Sequence, residues 1–129
     1  MNSGTEEKRA GLKVLLVDDE KGYAEVLAKR MALRDIRAVI ALSGTEAIRV
    51  LRDQQFDAAV LDLKLEDMDG IEILKVFKKM DPAMPVIMVT GHGSETAARQ
   101  GMEFGAFDYL MKPCNLNLLI EKIKEACRK

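Results

Sequence analysis

Short apolar runs alternate along this chain with longer stretches in which apolar residues recur at helical spacing. Leu12–Val17, Ile36–Ala41, Ala58–Asp62 and Val86–Thr90 are rich in Val, Ile, Leu and Ala, residues 107–111 carry Phe, Tyr, Leu and Met, and all five are bounded by turn or charged residues, so each reads as a strand. After the first run, Tyr23, Val26, Leu27, Arg30 and Met31 fall at helical spacing, with Lys21, Glu25, Lys29 and Arg34 mostly elsewhere around the wheel, which predicts an amphipathic helix. Ser43, Gly44, Thr45 and Glu46 form a capping box, in which hydroxyl and carboxylate each satisfy an orphan amide, and they open a helix carrying Ala47, Ile48 and Leu51. Asp69 caps a third helix with Ile71, Leu74 and Phe77 inward. Ser94 caps a fourth that runs through Ala97, Ala98 and Met102 to Phe104 and ends at Gly105. Leu116, Leu119, Ile120 and Ile123 mark the last helix.

Five strands alternating with five helices imply right-handed crossovers and a parallel sheet covered on both faces. The first, third and fourth strands are nearly all apolar, as strands buried on both faces should be. Arg37 in the second and Asp108 in the fifth mark edges. The simplest order is 2-1-3-4-5, a flavodoxin-like three-layer α/β/α sandwich. Residues 1–10 are polar and aperiodic and read as a loose leader, leaving residues 11–129 as one domain.

In such sheets ligands sit beyond the carboxyl ends of the strands, where the winding direction switches, here between the first and third strands. Asp18 and Asp19 follow the first strand and Asp62 ends the third, so three carboxylates converge there. They repel one another, and without a cation at least one must titrate high. Hard oxygen donors of this kind suit Mg²⁺, or Mn²⁺, better than zinc. A carboxylate beside a bound cation is a competent nucleophile toward phosphorus. Lys112 and Thr90, which close neighbouring strands, are placed to neutralise and hydrogen-bond a phosphoryl group. Singly each has a duller reading: Asp18 and Asp19 as helix caps, Thr90 as a strand residue, Lys112 as a solvated surface lysine. Jointly, at four strand ends facing one cleft, they point to phosphoryl chemistry.

Composition narrows the field further. The chain has 129 residues, 48% hydrophobic and 32% charged, which is the make-up of one ordinary globular domain. A net charge of -1, with both signs interspersed, offers no basic footprint for nucleic acid. No apolar run approaches the ~20 residues of a membrane span and no signal-peptide pattern opens the chain, so a soluble cytoplasmic protein is expected. Cys114 and Cys127 fall about 20 Å apart along the last predicted helix at ~1.5 Å per residue, too far for a disulfide, and with His92 the only histidine a structural zinc site lacks ligands. The loop after Asp62 fails as an EF-hand, because Asp67 stands where the turn glycine belongs and Ile73 where the closing glutamate belongs. No phosphate-binding glycine loop occurs. Gly91, His92 and Gly93 read as a flexible turn in which His92 adjusts solvent access to the cleft.

At these residues the chain resembles the receiver domain of two-component response regulators. Val17-Asp18-Asp19-Glu20, Leu61-Asp62-Leu63-Lys64-Leu65 with Met68-Asp69-Gly70, Val89-Thr90-Gly91-His92-Gly93 and Gly105 through Pro113 carry the resemblance, which runs from about Leu12 to the C-terminus. It implies that Asp62 accepts a phosphoryl group from a sensor histidine kinase or phosphotransfer protein, and that Asp18, Asp19, Asp62 and the Lys64 backbone carbonyl hold Mg²⁺. It further implies that Thr90 and Lys112 contact the phosphoryl group, that the Lys112–Pro113 bond is cis, and that Tyr109 is an aromatic switch answering movement of Thr90. The last two strand-helix units would then change their surface toward an output domain, a partner protein or a second copy. Relatives commonly have proline where Glu66 stands, so this loop is expected to be more mobile or to show the kinase an unusual charge. Lys64 and His92 occupy positions associated in the family with phosphoryl lifetime. The wording around Thr90 and Tyr109 is similar to receivers attached to transcriptional activators, and the chain reads either as a single-domain regulator or as one lacking its output domain. The competing enzyme reading is an aspartyl-nucleophile phosphatase of dehalogenase-like type, with Asp18-Asp19-Glu20 as its acids; a flavodoxin-like cofactor binder is the third.

Overall fold

A computed structural model describes residues 11–91 and 95–128. The proposed leader, the His92–Gly93 part of the turn and the Ser94 cap lie outside the described residues. The strands are β1 (Leu12–Val17), β2 (Ile36–Ala41), β3 (Ala58–Asp62), β4 (Val86–Thr90) and β5 (Asp108–Met111). The helices between and after them are α1 (Lys21–Ala32), α2 (Gly44–Asp53), α3 (Gly70–Met80), α4 (Glu95–Glu103) and α5 (Leu116–Cys127). All strand pairs are parallel and the order is β2-β1-β3-β4-β5, the flavodoxin-like arrangement. Arg37 and Asp108 lie on the two edge strands, as their charge requires.

Side chains alternate strictly across the sheet and divide the core in two. Leu15, Val17, Ala59, Leu61, Val86 and Met88 pack on one face with Leu51, Leu74 and Phe77 of α2 and α3. Val14, Leu16, Ala58, Val60, Ile87 and Val89 pack on the other with Leu27 and Met31 of α1 and Leu119, Ile120 and Ile123 of α5. Every residue of β3 and β4 is buried, which explains why those runs are apolar until their final residue.

Helix starts follow their local chemistry. Ser43 Oγ accepts from Glu46 N–H at 3.0 Å, and Glu46 reaches back to the amide of Leu42 at 2.8 Å, one residue before the expected partner. Asp69 caps α3 through Ile71 N–H, and Asn115 caps α5 through Leu118 N–H. Two details differ from the sequence pattern. Val26 is 53% exposed, and the buried stripe of α1 is Ala24, Leu27 and Met31, because small Ala24 lets the helix lie close to the sheet. The fourth helix ends at Glu103, Met102 and Phe104 are partly exposed, and Gly105 at φ +103° carries the chain into β5. Among the described residues no helix is long and apolar enough to cross a membrane.

Candidate functional site

Strand register brings the polar strand ends to one rim. Val17 pairs with Leu61, Asp62 with Val89 and Thr90 with Met111, so the residues that follow emerge side by side. Period-two alternation then sets their directions. Asp18 continues the face of Val14 and Leu16, Asp62 that of Ala58 and Val60, and Lys112 that of Leu110, all on the α1/α5 side. Thr90 continues Val86 and Met88 on the opposite side, the same side as Tyr109.

The cleft is acidic, and two of its carboxylates are nearly closed to water. Asp18 and Asp62 are 2% and 5% exposed, too little for two ionised carboxylates without partners. One oxygen from each of Asp18, Asp19 and Asp62 lies within 4.8 Å of the others. Lys112 Nζ bridges two of them, at 2.9 Å from Asp18 Oδ2 and 3.2 Å from Asp62 Oδ2, and reaches Glu20 Oε1 at 3.4 Å. Backbone donors complete the set: Glu20 N–H donates to Asp18 Oδ1 and Lys64 N–H to Asp62 Oδ1. Asp18 thus serves the entry to α1 as well as the cleft.

Burial pushes the Asp62 carboxyl above its ordinary range, and the Asp18 charge pushes the same way. The Lys64 amide and the Lys112 ammonium oppose them without cancelling them. Burial alone would lower Lys112, but its hydrogen bond to Asp18 and the charges of Asp62 and Asp18 outweigh that and hold the ammonium above the usual lysine value. A site that keeps one carboxylate protonation-prone and one lysine firmly charged is short of positive charge. Its donor set, three hard carboxylates converging on one point, fits a small divalent cation such as Mg²⁺.

The loop that carries Asp62 is tied down at its far side. Asp67 accepts from the backbone amides of Gly44 at 2.9 Å and Thr45 at 3.0 Å and from the Thr45 hydroxyl at 2.9 Å, and Lys64 bridges Asp69 across the loop. Glu66 itself faces solvent. Gly70 is required at the loop's end, since a Cβ there would meet the Leu63 Cα at 2.5 Å.

The structure brings Asp18, Asp19, Asp62 and Lys112 together at one rim. Thr90 is fully buried at the end of β4, its hydroxyl 3.5 Å from the Gly91 carbonyl, and Tyr109 is half-buried against the α2–α4 core opposite Met88. The Lys112–Pro113 peptide is cis. Two further neighbours line the cleft: Glu20, which the sequence offered only as an acid of the competing phosphatase reading and as part of the Val17–Glu20 motif, and Tyr23, whose helical spacing marked it as a residue of the amphipathic first helix.

Fold and cleft together define a flavodoxin-like domain with an acidic, lysine-bridged site at its switch point. The sequence profile of the response regulator receiver domain matches residues 14–124, and the chain belongs to that family, a family of signalling domains in two-component systems. A putative NtrX-like response regulator of Rickettsia bellii is 36% identical over 118 residues, covering 90% of this chain and 25% of that protein. The transcriptional regulatory protein GlrR of Escherichia coli is 36% identical over 113 residues, covering 88% and 26%. A CheY-like receiver domain protein from Methanospirillum hungatei superposes with a TM-score of 0.87 at 33% identity, over 92% of this chain and 94% of that one. The chain thus spans about a quarter of the length of the curated relatives it matches.

Proposed function

We propose that this receiver domain takes a phosphoryl group onto Asp62 from a phosphohistidine of a sensor kinase or phosphotransfer protein, in a Mg²⁺-dependent reaction, and reports its occupancy to an output domain or partner. The observation that carries this reading is the Asp62 carboxylate at the switch point, within 4.8 Å of two further acids and 3.2 Å from Lys112 Nζ. An Asp62 oxygen attacks phosphorus, the O–P bond forms as the donor's P–N bond breaks, and the leaving imidazole keeps the electron pair and takes a proton from solvent. Asp18, Asp19, Asp62 and the Lys64 carbonyl would hold the cation, whose role is to neutralise charge on the transferred group. Lys112 pairs with one phosphoryl oxygen and the Thr90 hydroxyl donates to another. Thr90 and Tyr109 share one side of the sheet, so movement of Thr90 changes the space open to the Tyr109 ring and shifts the population of its rotamers. That change would alter the surface of the last two strand-helix units, where a second copy or an output domain docks. The relatives' names as transcriptional regulators support a transcriptional output, and cytoplasmic residence goes with it.

A dehalogenase-like phosphatase is less well supported, because it leaves Asp62 without a role and spends Asp18, already engaged by Lys112 and the Glu20 amide, as the nucleophile. Incubation with Mg²⁺ and acetyl phosphate followed by intact-mass measurement separates the two. One acid-stable, base-labile phosphoryl adduct is expected, absent in Asp62→Asn. Multiple turnover of a phosphate ester independent of Asp62 would sink the proposal.

A further inference from the structure

The Lys112 ammonium is held from two sides. Asp18, Asp62 and Glu20 approach it on one, and on the other it lies over the face of the Tyr23 ring, 4.7 Å from the centroid. The ring belongs to the first turn of α1, and its hydroxyl lies 3.7 Å from the Cys114 sulfur, two residues beyond Lys112. One aromatic side chain of α1 therefore touches the β5–α5 connection twice, once at the ammonium and once at the backbone segment that carries it.

We infer that Tyr23 is a positioning residue for Lys112: its ring face fixes the ammonium above the phosphoacceptor oxygens and so sets how quickly Asp62 is loaded. The inference deepens the proposed function and rests on it. A lysine on a four-carbon stem has many rotamers, and the three carboxylates offer it several nearly equivalent stations. Glu20 is the most solvent-exposed of these, with a side chain 68% exposed, and a station there draws the charge away from Asp62. A π-face attracts a cation more strongly as water is excluded, and the Lys112 side chain is only 19% exposed. The ring thus favours the inner station, shared by Asp18 and Asp62, over the outer one. An aliphatic side chain of equal bulk would fill the same space but supply no negative face.

The test uses the full chain with Mg²⁺ and acetyl phosphate, and reads the rate of adduct formation by intact mass. Tyr23→Leu is expected to slow loading roughly three- to tenfold, while Tyr23→Phe, which keeps the ring, stays within about twofold of wild type. Phenylalanines of increasing fluorination incorporated at position 23 preserve the ring's shape while removing its negative face, and the rate should fall with each step. That series keeps the test informative if the leucine variant folds poorly. As a readout independent of phosphorylation, the Lys112 ammonium proton resonance should be shifted upfield by the ring in wild type and Tyr23→Phe, and not in Tyr23→Leu. Equal loading rates across the leucine and fluorinated variants, or a Lys112 resonance with no ring shift, would overturn the role of Tyr23. Absence of any Asp62 adduct in wild type would instead overturn the function on which it rests, and the ring shift would still report on the contact.

Discussion

Replacing Asp62 by asparagine should make the metal-free domain more stable, although it removes a partner of Lys112. The amide is nearly isosteric with the carboxylate and keeps an oxygen for the Lys64 N–H, which donates to Asp62 Oδ1 at 3.0 Å. What changes is charge, and with it the acceptor at Oδ2, because an amide NH2 there cannot accept from Lys112 Nζ. At an effective dielectric of about 20, the attraction between Asp62 and Lys112 at 3.2 Å amounts to about 5 kcal/mol. The same dielectric gives about 3.5 kcal/mol of repulsion from each of Asp18 and Asp19 at 4.8 Å, the widest spacing of the three ligand oxygens. Repulsion and attraction are therefore of similar size, and the cost of burying the charge, the largest of the influences that raise the Asp62 pKa, decides the sign. Screening at the partly exposed Asp19 trims the repulsion, and with the burial cost a gain of about 1–2 kcal/mol is expected, or several degrees in Tm for a domain of this size.

Thermal and urea denaturation in chelator at pH 7 measure the gain directly, and its pH dependence checks the cause. Because burial raises the folded-state pKa of Asp62 above its unfolded value, the native protein binds that proton more readily than the unfolded chain. Wild-type stability attributable to Asp62 therefore rises as pH falls through the folded value and is complete below the unfolded one. The advantage of Asp62→Asn should accordingly shrink between neutrality and about pH 4. Saturating Mg²⁺ should narrow it too, since a ligand at a hundredfold its Kd adds about 2.7 kcal/mol to a protein that binds it only when folded, and the asparagine variant binds it less well. An Asp62→Asn protein less stable than wild type in chelator at pH 7 would show that the Lys112 pair dominates, and would refute the charge balance drawn here.

Other parts of the site make separate demands. Asp67→Ala should lower Tm and loosen the loop after Asp62, seen as faster amide exchange at Lys64, because three hydrogen bonds to the start of α2 are lost together. The amides of Gly44 and Thr45 hold the Asp67 carboxyl below its ordinary value, so its contribution is present above the unfolded pKa and disappears as pH falls through the folded one; an Asp67→Asn protein should lack that acid-limb dependence. Gly70→Ala drives a methyl into the Leu63 backbone and should cost about 1–3 kcal/mol in urea denaturation, together with slower loading of Asp62; a neutral result would mean that the loop yields freely.

Much of this was legible in one sequence because the fold is governed by patterns a sequence states openly. Period-two and helical spacing placed the strands and helices, and the contrast between apolar β1, β3 and β4 and the charges at Arg37 and Asp108 was enough to order the sheet. The polar residues ending apolar runs gave the cleft, since a buried strand tolerates a carboxylate only at its mouth. What escaped is long-range and geometric. Val26 looked inward by spacing, yet the buried stripe of α1 runs through Ala24, Leu27 and Met31 and leaves Val26 outward. The hold of Asp67 on α2 spans 22 and 23 residues, and nothing local to Asp67 announces it. Tyr23 and Lys112 lie still further apart in sequence and meet only because α1 and the β5–α5 connection flank the same switch point.

The charge balance at the switch point also explains why the cleft has this composition. Three converging carboxylates and one lysine leave the metal-free cleft short of positive charge, a local instability that a bound cation would relieve. Under the proposed function a phosphoryl group would bring further negative charge to the same spot and would be tolerable only with cation and lysine both in place. Excess acidity would then strengthen cation binding, and the cation would make the phosphoryl group's arrival feasible. Undoing that excess in Asp62→Asn should stabilise the variant and disable it together. Stability and phosphoacceptor activity should therefore move in opposite directions across substitutions at Asp18, Asp19 and Asp62, and in the same direction at Asp67 and Gly70, which support the loop without carrying its charge.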